Sequence, residues 1–126
     1  MNPNDPDRRR HRRFVLSLPA SIERGPERGR GHLVDLSELG ASLSAPAAVV
    51  AGTPTYLFFD LVPDIRCEAT GAVVRVVPFG RLYGIGVELA YANPGYLHFL
   101  RNLDATSEAI RPVLLGDIRG LTVRFG

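Results

Sequence analysis

Lysine is missing from this chain of 126 residues; all 15 of its strongly basic residues are arginine. Every fixed cation is therefore a planar fork that suits carboxylates, phosphates and base edges, rather than a compact, strongly hydrated ammonium. Cysteine is limited to Cys67, which excludes an internal disulfide. It lies in a strand-like stretch and reads as a small buried hydrophobe. No stretch approaches the roughly 18 apolar residues of a membrane-spanning helix. The N-terminus carries charge without the apolar segment of a signal peptide, so cytoplasmic residence is the expectation. The HExxH, CxxC and nucleophile-elbow patterns are absent as well. His11 sits in an arginine run, His32 opens a strand and His98 lies on a helical segment, with no shared metal or catalytic spacing. Asp60, Asp64 and Glu68 gather around a turn and read as solvated charge. No catalytic residue, metal site or cofactor is assigned, and binding without catalysis is the expectation.

The length is that of one domain, and 45% apolar residues suit a globular protein. Charge is informative once divided. Eight arginines fall in the first 30 positions against four acids (Asp5, Asp7, Glu23, Glu27), which leaves that segment at +4. The remainder holds seven arginines and nine acids, or −2. A basic head on a mildly acidic body attracts phosphates of any kind, whether of nucleic acid, a membrane surface or a nucleotide.

Two stretches narrow that choice. The first is Arg8-Arg9-Arg10-His11-Arg12-Arg13, and the second is Asp35-Leu36-Ser37-Glu38-Leu39-Gly40. Guanine presents two acceptors, O6 and N7, that one guanidinium meets together, with about 1–3 kcal/mol of discrimination. Its opposite edge carries N–H donors that a carboxylate such as Asp35 accepts. Phosphate oxygens take arginine forks, a serine hydroxyl such as Ser37, or backbone N–H groups in a tight turn. Gly40 would permit either a positive φ or a close approach of backbone to ligand. Together the stretches favour a ligand that contains both guanine and phosphate.

Along the chain, residues 1–13 read as a flexible basic arm whose first seven residues are rich in Pro, Asn and Asp. Strand signals follow at Phe14 to Ile22, with Pro19 implying a bend or an edge, and at His32 to Leu36 after a connection from Glu23 to Gly31. Further strands are expected over Ala41–Ser44, Thr55–Leu61, Ile65–Val77 with a kink at Gly71, and Leu82–Leu89. Such spacing suits a small closed or nearly closed antiparallel barrel. Asn93-Pro94 starts a helix, capping residue then first-turn proline, and Tyr96, Leu97, Phe99, Leu100 and Leu103 form its apolar face. Residues 105–126 form an extension without an assigned role; Arg111 to Gly126 reads as further extended structure.

Arg-x-x-x-Arg followed by Asp-x-Ser-x-x-Gly, with strands like Gly71–Val76 and Tyr83–Leu89 downstream, resembles the PilZ domain family over roughly residues 8–103. The first motif fits as Arg8/Arg12 or Arg9/Arg13. The second is preferred, because in the family the later arginine directly precedes the first strand, here Phe14-Val15. The resemblance implies an all-β fold with one helix, a small antiparallel six-stranded barrel and C-terminal helix over residues 14–104. It also implies a receptor for cyclic di-GMP, a bacterial second messenger, with Arg9, Arg13, Asp35, Ser37 and Gly40 at the ligand. Arg8, Arg10 and Arg12 would supplement them. A downstream protein partner, and a process such as motility, surface polysaccharide or attachment (biofilm), follow from the same resemblance.

Two alternatives stand beside that reading. A barrel of this kind can serve as a protein adaptor that binds no nucleotide, or as a nucleic-acid binder that tracks phosphates. Both motifs being intact favours the receptor over the adaptor, and the Asp35 anion disfavours a polyphosphate partner.

Overall fold

The computed structural model describes residues 12–126. Seven strands, β1 (Phe14–Arg24), β2 (Glu27–Leu36), β3 (Gly40–Ala45), β4 (Pro54–Leu61), β5 (Ile65–Phe79), β6 (Leu82–Ala92) and β7 (Ile118–Phe125), close into a barrel. Helices α1 (Pro94–Ala105) and α2 (Arg111–Leu115) lie between β6 and β7. Neighbours around the barrel run β1-β2-β3-β6-β5-β4-β7, and β7 returns to β1.

The sequence led to six antiparallel strands and one helix, so the seventh strand and second helix are corrections. Leu121, Val123 and Phe125 alternate into the core, and the strand they form pairs with β4 on one side and β1 on the other. Its pairing with β1 is parallel, over Ser21–Arg24, so closure is not wholly antiparallel. Residues 111–115, expected to be extended, instead make one short helical turn opened by Pro112. The connection expected over Glu23–Gly31 shrinks to a tight hairpin. Gly25, at φ 57°, precedes Pro26, the combination a type II′ turn accepts.

Pro19 lies in the part of β1 that only β2 pairs, before β7 begins at Ser21, so its missing N–H breaks no ladder on the open side. The kink at Gly71 coincides with a register shift between Thr70 and Gly71. A Cβ there would lie 1.9 Å from the Glu88 carbonyl oxygen, so only glycine lets β5 cross β6 that closely.

Asn93 starts α1 and binds it to the barrel in one step. Its side-chain oxygen accepts from the Tyr96 and Glu68 N–H groups at 2.8 and 3.1 Å, and its amide donates to the Arg66 carbonyl at 3.0 Å. Tyr96, Phe99, Leu100 and Leu103 are the buried face, with Phe99 edge-on to Phe59 at 5.2 Å between centroids. Burial of side chains this size stabilises by about 1.5–3 kcal/mol each, so the helix is fixed to the barrel. Among the described residues no helix is long and apolar enough to cross a membrane.

Candidate functional site

The β2–β3 connection is the turn Ser37–Gly40, closed from within. The Ser37 N–H donates to the Gly40 carbonyl at 2.8 Å, and the Gly40 N–H donates to Ser37 Oγ at 3.1 Å. Ser37 Oγ also donates to the Gly40 carbonyl at 3.3 Å, and the residue is only 3% exposed. The hydroxyl expected at a ligand is thus held inside its own turn. Gly40 does not take positive φ; the described glycines that do are Gly25, Gly52, Gly80 and Gly120. Close approach explains it instead, since a Cβ on Gly40 would lie 3.0 Å from the Val87 carbonyl and 3.8 Å from Arg13 Nη2.

Tyr96 holds this turn from below. It is fully buried, and its hydroxyl donates to the Ser37 carbonyl at 2.8 Å. Burial pushes the phenol far above its ordinary pKa, so it remains a neutral donor. Sequence reasoning placed Tyr96 in the core and missed this second task. The signal was present: a tyrosine hydroxyl on a buried helix face has to find an acceptor.

Asp35 projects outward from β2 one residue before Leu36 turns inward. Arg13, immediately before β1, donates from Nη1 to Asp35 Oδ1 at 2.8 Å, with the two side chains 58% and 20% exposed. One carboxylate oxygen and the rest of the guanidinium fork remain for other partners. Arg12 turns elsewhere, to Asp104 on α1 at 2.7 Å. Two guanidinium groups lie against the Phe14 ring, Arg12 at 5.4 Å and Arg111 at 5.3 Å from its centroid, and Arg111 also donates to the Leu103 carbonyl at 3.0 Å. Asp104 and Arg111 were not anticipated, because nothing in their local sequence signals a partner some 90 positions upstream. Arg8, Arg9, Arg10 and His11 lie outside the described residues.

The structure therefore brings Arg13, Asp35 and Gly40 to one spot, sets Ser37 beneath them, and directs Arg12 to the helix. A cleft of about 340 Å³ opens on the helix side, lined by Arg12, Phe14, Glu38, Leu97, Leu100, Arg101 and Asp104. On the far wall Asp60 meets Arg66 at 3.2 Å and Glu68 accepts from the Tyr56 hydroxyl. Arg66 and Arg124 stack there on Phe58 at 4.5 and 5.1 Å. Cys67 is buried, and burial pushes its thiol up to about 11.

Compared with known families, residues 7–108 match the model of the PilZ domain. No curated protein matches the chain with significance.

Proposed function

The chain belongs to the PilZ domain family, whose members are generally cyclic di-GMP-binding domains, and on that premise we propose that it is a cyclic di-GMP receptor. The observation that carries this reading is the meeting of Arg13 with Asp35 at 2.8 Å over Gly40. A fork that fits guanine O6 and N7 stands beside a carboxylate that fits guanine N1–H and N2–H. Gly40 lets β6 approach the turn closely, since a Cβ there would lie 3.0 Å from the Val87 carbonyl. Arg9, four residues before Arg13, would reach the same nucleotide, with Arg8, Arg10 and Arg12 as supplementary cations. Ser37 would act chiefly by fixing the turn that aims Asp35.

The ligand would draw the N-terminal arginines onto the barrel and so change the surface offered to a downstream protein. Coupled ordering of a segment costs roughly 2–5 kcal/mol. Two bidentate arginine contacts supply about 1–3 kcal/mol each, so the balance is narrow. Losing either arginine then weakens binding about tenfold or more, since about 1.4 kcal/mol is a factor of ten. No chemistry on the ligand is implied; the role is binding.

Calorimetric titration of the purified protein with cyclic di-GMP, beside an Arg9→Ala/Arg13→Ala double variant, tests this. Saturable binding by the parent and loss in the variant is the expected result. A parent that neither binds nor is thermally stabilised overturns it in favour of the adaptor reading.

A further inference from the structure

Arg13, Asp35 and both helices lie at one pole of the barrel, and three connections meet at the other. These are the β1–β2 turn at Gly25-Pro26, the β3–β4 connection over residues 46–53, and the β5–β6 turn at Gly80-Arg81. Large apolar side chains stand in solvent there. Phe79 is 77%, Val50 73% and Leu82 40% exposed. Phe79 and Leu82 face each other as the closing pair of the β5–β6 turn, in which Gly80, at φ 62°, takes the first central position. β4 pairs with β5 no further than Ala72, and β3 with β6 no further than Tyr83, so this tip projects past both neighbours. The 46–53 connection is tied across the same pole. Arg24 donates to the Ala48 carbonyl near its start, and the Gly52 N–H donates to the Val73 carbonyl at 2.7 Å near its end. Val49 is buried between these ties and Val50 is left outward.

Charge at this pole is one-sided. No acid occurs in residues 39–59 or 69–87. Glu23 and Glu27, beside the β1–β2 turn, are held by Arg124 at 2.8 Å and Arg24 at 3.0 Å. Arg28, Arg30 and Arg81 are exposed and have no acidic partner among the described residues. Arg28 and Arg30 lie two apart on β2 and so share its outer face.

We propose that this pole docks on an anionic lipid bilayer, with Phe79, Leu82 and Val50 entering the headgroup region and Arg28, Arg30 and Arg81 meeting lipid phosphates. Apolar side chains at the edge of the hydrocarbon and cations at the phosphates are the two attractions that hold a protein on such a surface. Shape favours a bilayer over a folded partner. The apolar side chains project from two separate connections, and a fluid interface receives them without the complementary surface a protein partner needs. The inference stands apart from the cyclic di-GMP reading. Docked this way, the protein keeps Arg13 and Asp35 on the aqueous side.

The test is flotation of the full chain with vesicles of phosphatidylglycerol and phosphatidylcholine in equal parts, beside vesicles of phosphatidylcholine alone. The parent is compared with Phe79→Ser and with Arg28→Ala/Arg30→Ala, each checked by thermal melting; the substituted side chains are exposed, so both variants should fold. The parent is expected to float with the anionic vesicles, less so as salt rises, and to bind phosphatidylcholine alone about tenfold more weakly or worse. Each variant is expected to lose about tenfold in affinity for the anionic vesicles, one for want of the ring and the other for want of two cations. A parent that does not float with anionic vesicles overturns the proposal, as does parent-like binding by either folded variant. A parent that forms a dimer, which Phe79→Ser dissociates, and that binds no vesicles assigns the pole to a second copy of the chain instead.

Discussion

Tyr96 and Ser37, 59 positions apart, are joined by a single buried hydrogen bond of 2.8 Å from phenol to backbone carbonyl. Through it the helix fixes the turn that follows Asp35. Tyr96→Phe keeps the ring and its packing but leaves the Ser37 carbonyl buried without that donor, a loss of about 1–3 kcal/mol. Urea denaturation should show the loss, and cyclic di-GMP titration should show weaker binding by the folded variant. Unchanged values in both would mean that the turn holds itself.

Arg13→Lys separates charge from shape. The lysine retains the cation opposite Asp35 but not the fork, so affinity for cyclic di-GMP should fall about tenfold. Stability should change by less than about 0.5 kcal/mol, because ion pairs this exposed contribute little. Calorimetry and melting curves measure the two separately. Full affinity in the lysine variant would argue for a point-charge contact to phosphate.

Removing residues after Asp117 tests the closing strand. It deletes Leu121, Val123 and Phe125, all buried, at about 1.5–3 kcal/mol each, and opens two strand edges. That sum rivals the entire stability of a typical domain, about 5–15 kcal/mol. The shortened chain should fail to fold by circular dichroism and by cooperative melting; a cooperative transition would show that six strands suffice.

Alkaline pH should unfold the protein partly through Cys67. In the folded state burial, aided by Asp60, raises its thiol from 9.0 to about 11. Above pH 9 the unfolded chain gives up this proton while the folded chain keeps it, so stability present below pH 9 is lost as pH climbs towards 11. Cys67→Ala should flatten that decline, measured as urea midpoint against pH, even though its starting stability is lower. The Tyr96 phenol, raised by burial, and the Tyr56 phenol, raised chiefly by its hydrogen bond to Glu68, both contribute to the decline that remains.

What could be read from the sequence follows a physical boundary. Strands β1 to β6 and the capped start of α1 are local patterns of alternation, turn residues and capping, and each was visible. The pattern of Leu121, Val123 and Phe125 was visible too, but the partner of a strand is a long-range fact, so its place between β4 and β1 was not. The same holds within the site. Asp35 at a strand end and Arg13 before a strand are local statements, whereas the burial of the Ser37 hydroxyl depends on Gly40 and Tyr96 around it.

The parallel pairing of β7 with β1 also fixes which way the chain leaves the barrel. Phe125 pairs with Arg24, at the far end of an eleven-residue strand from Phe14 and Arg13, roughly 33 Å away at about 3.3 Å per residue. Whatever is joined after Gly126 departs from the pole remote from Arg13 and Asp35. A fluorescent reporter fused there would stand clear of the Arg13–Asp35 pair.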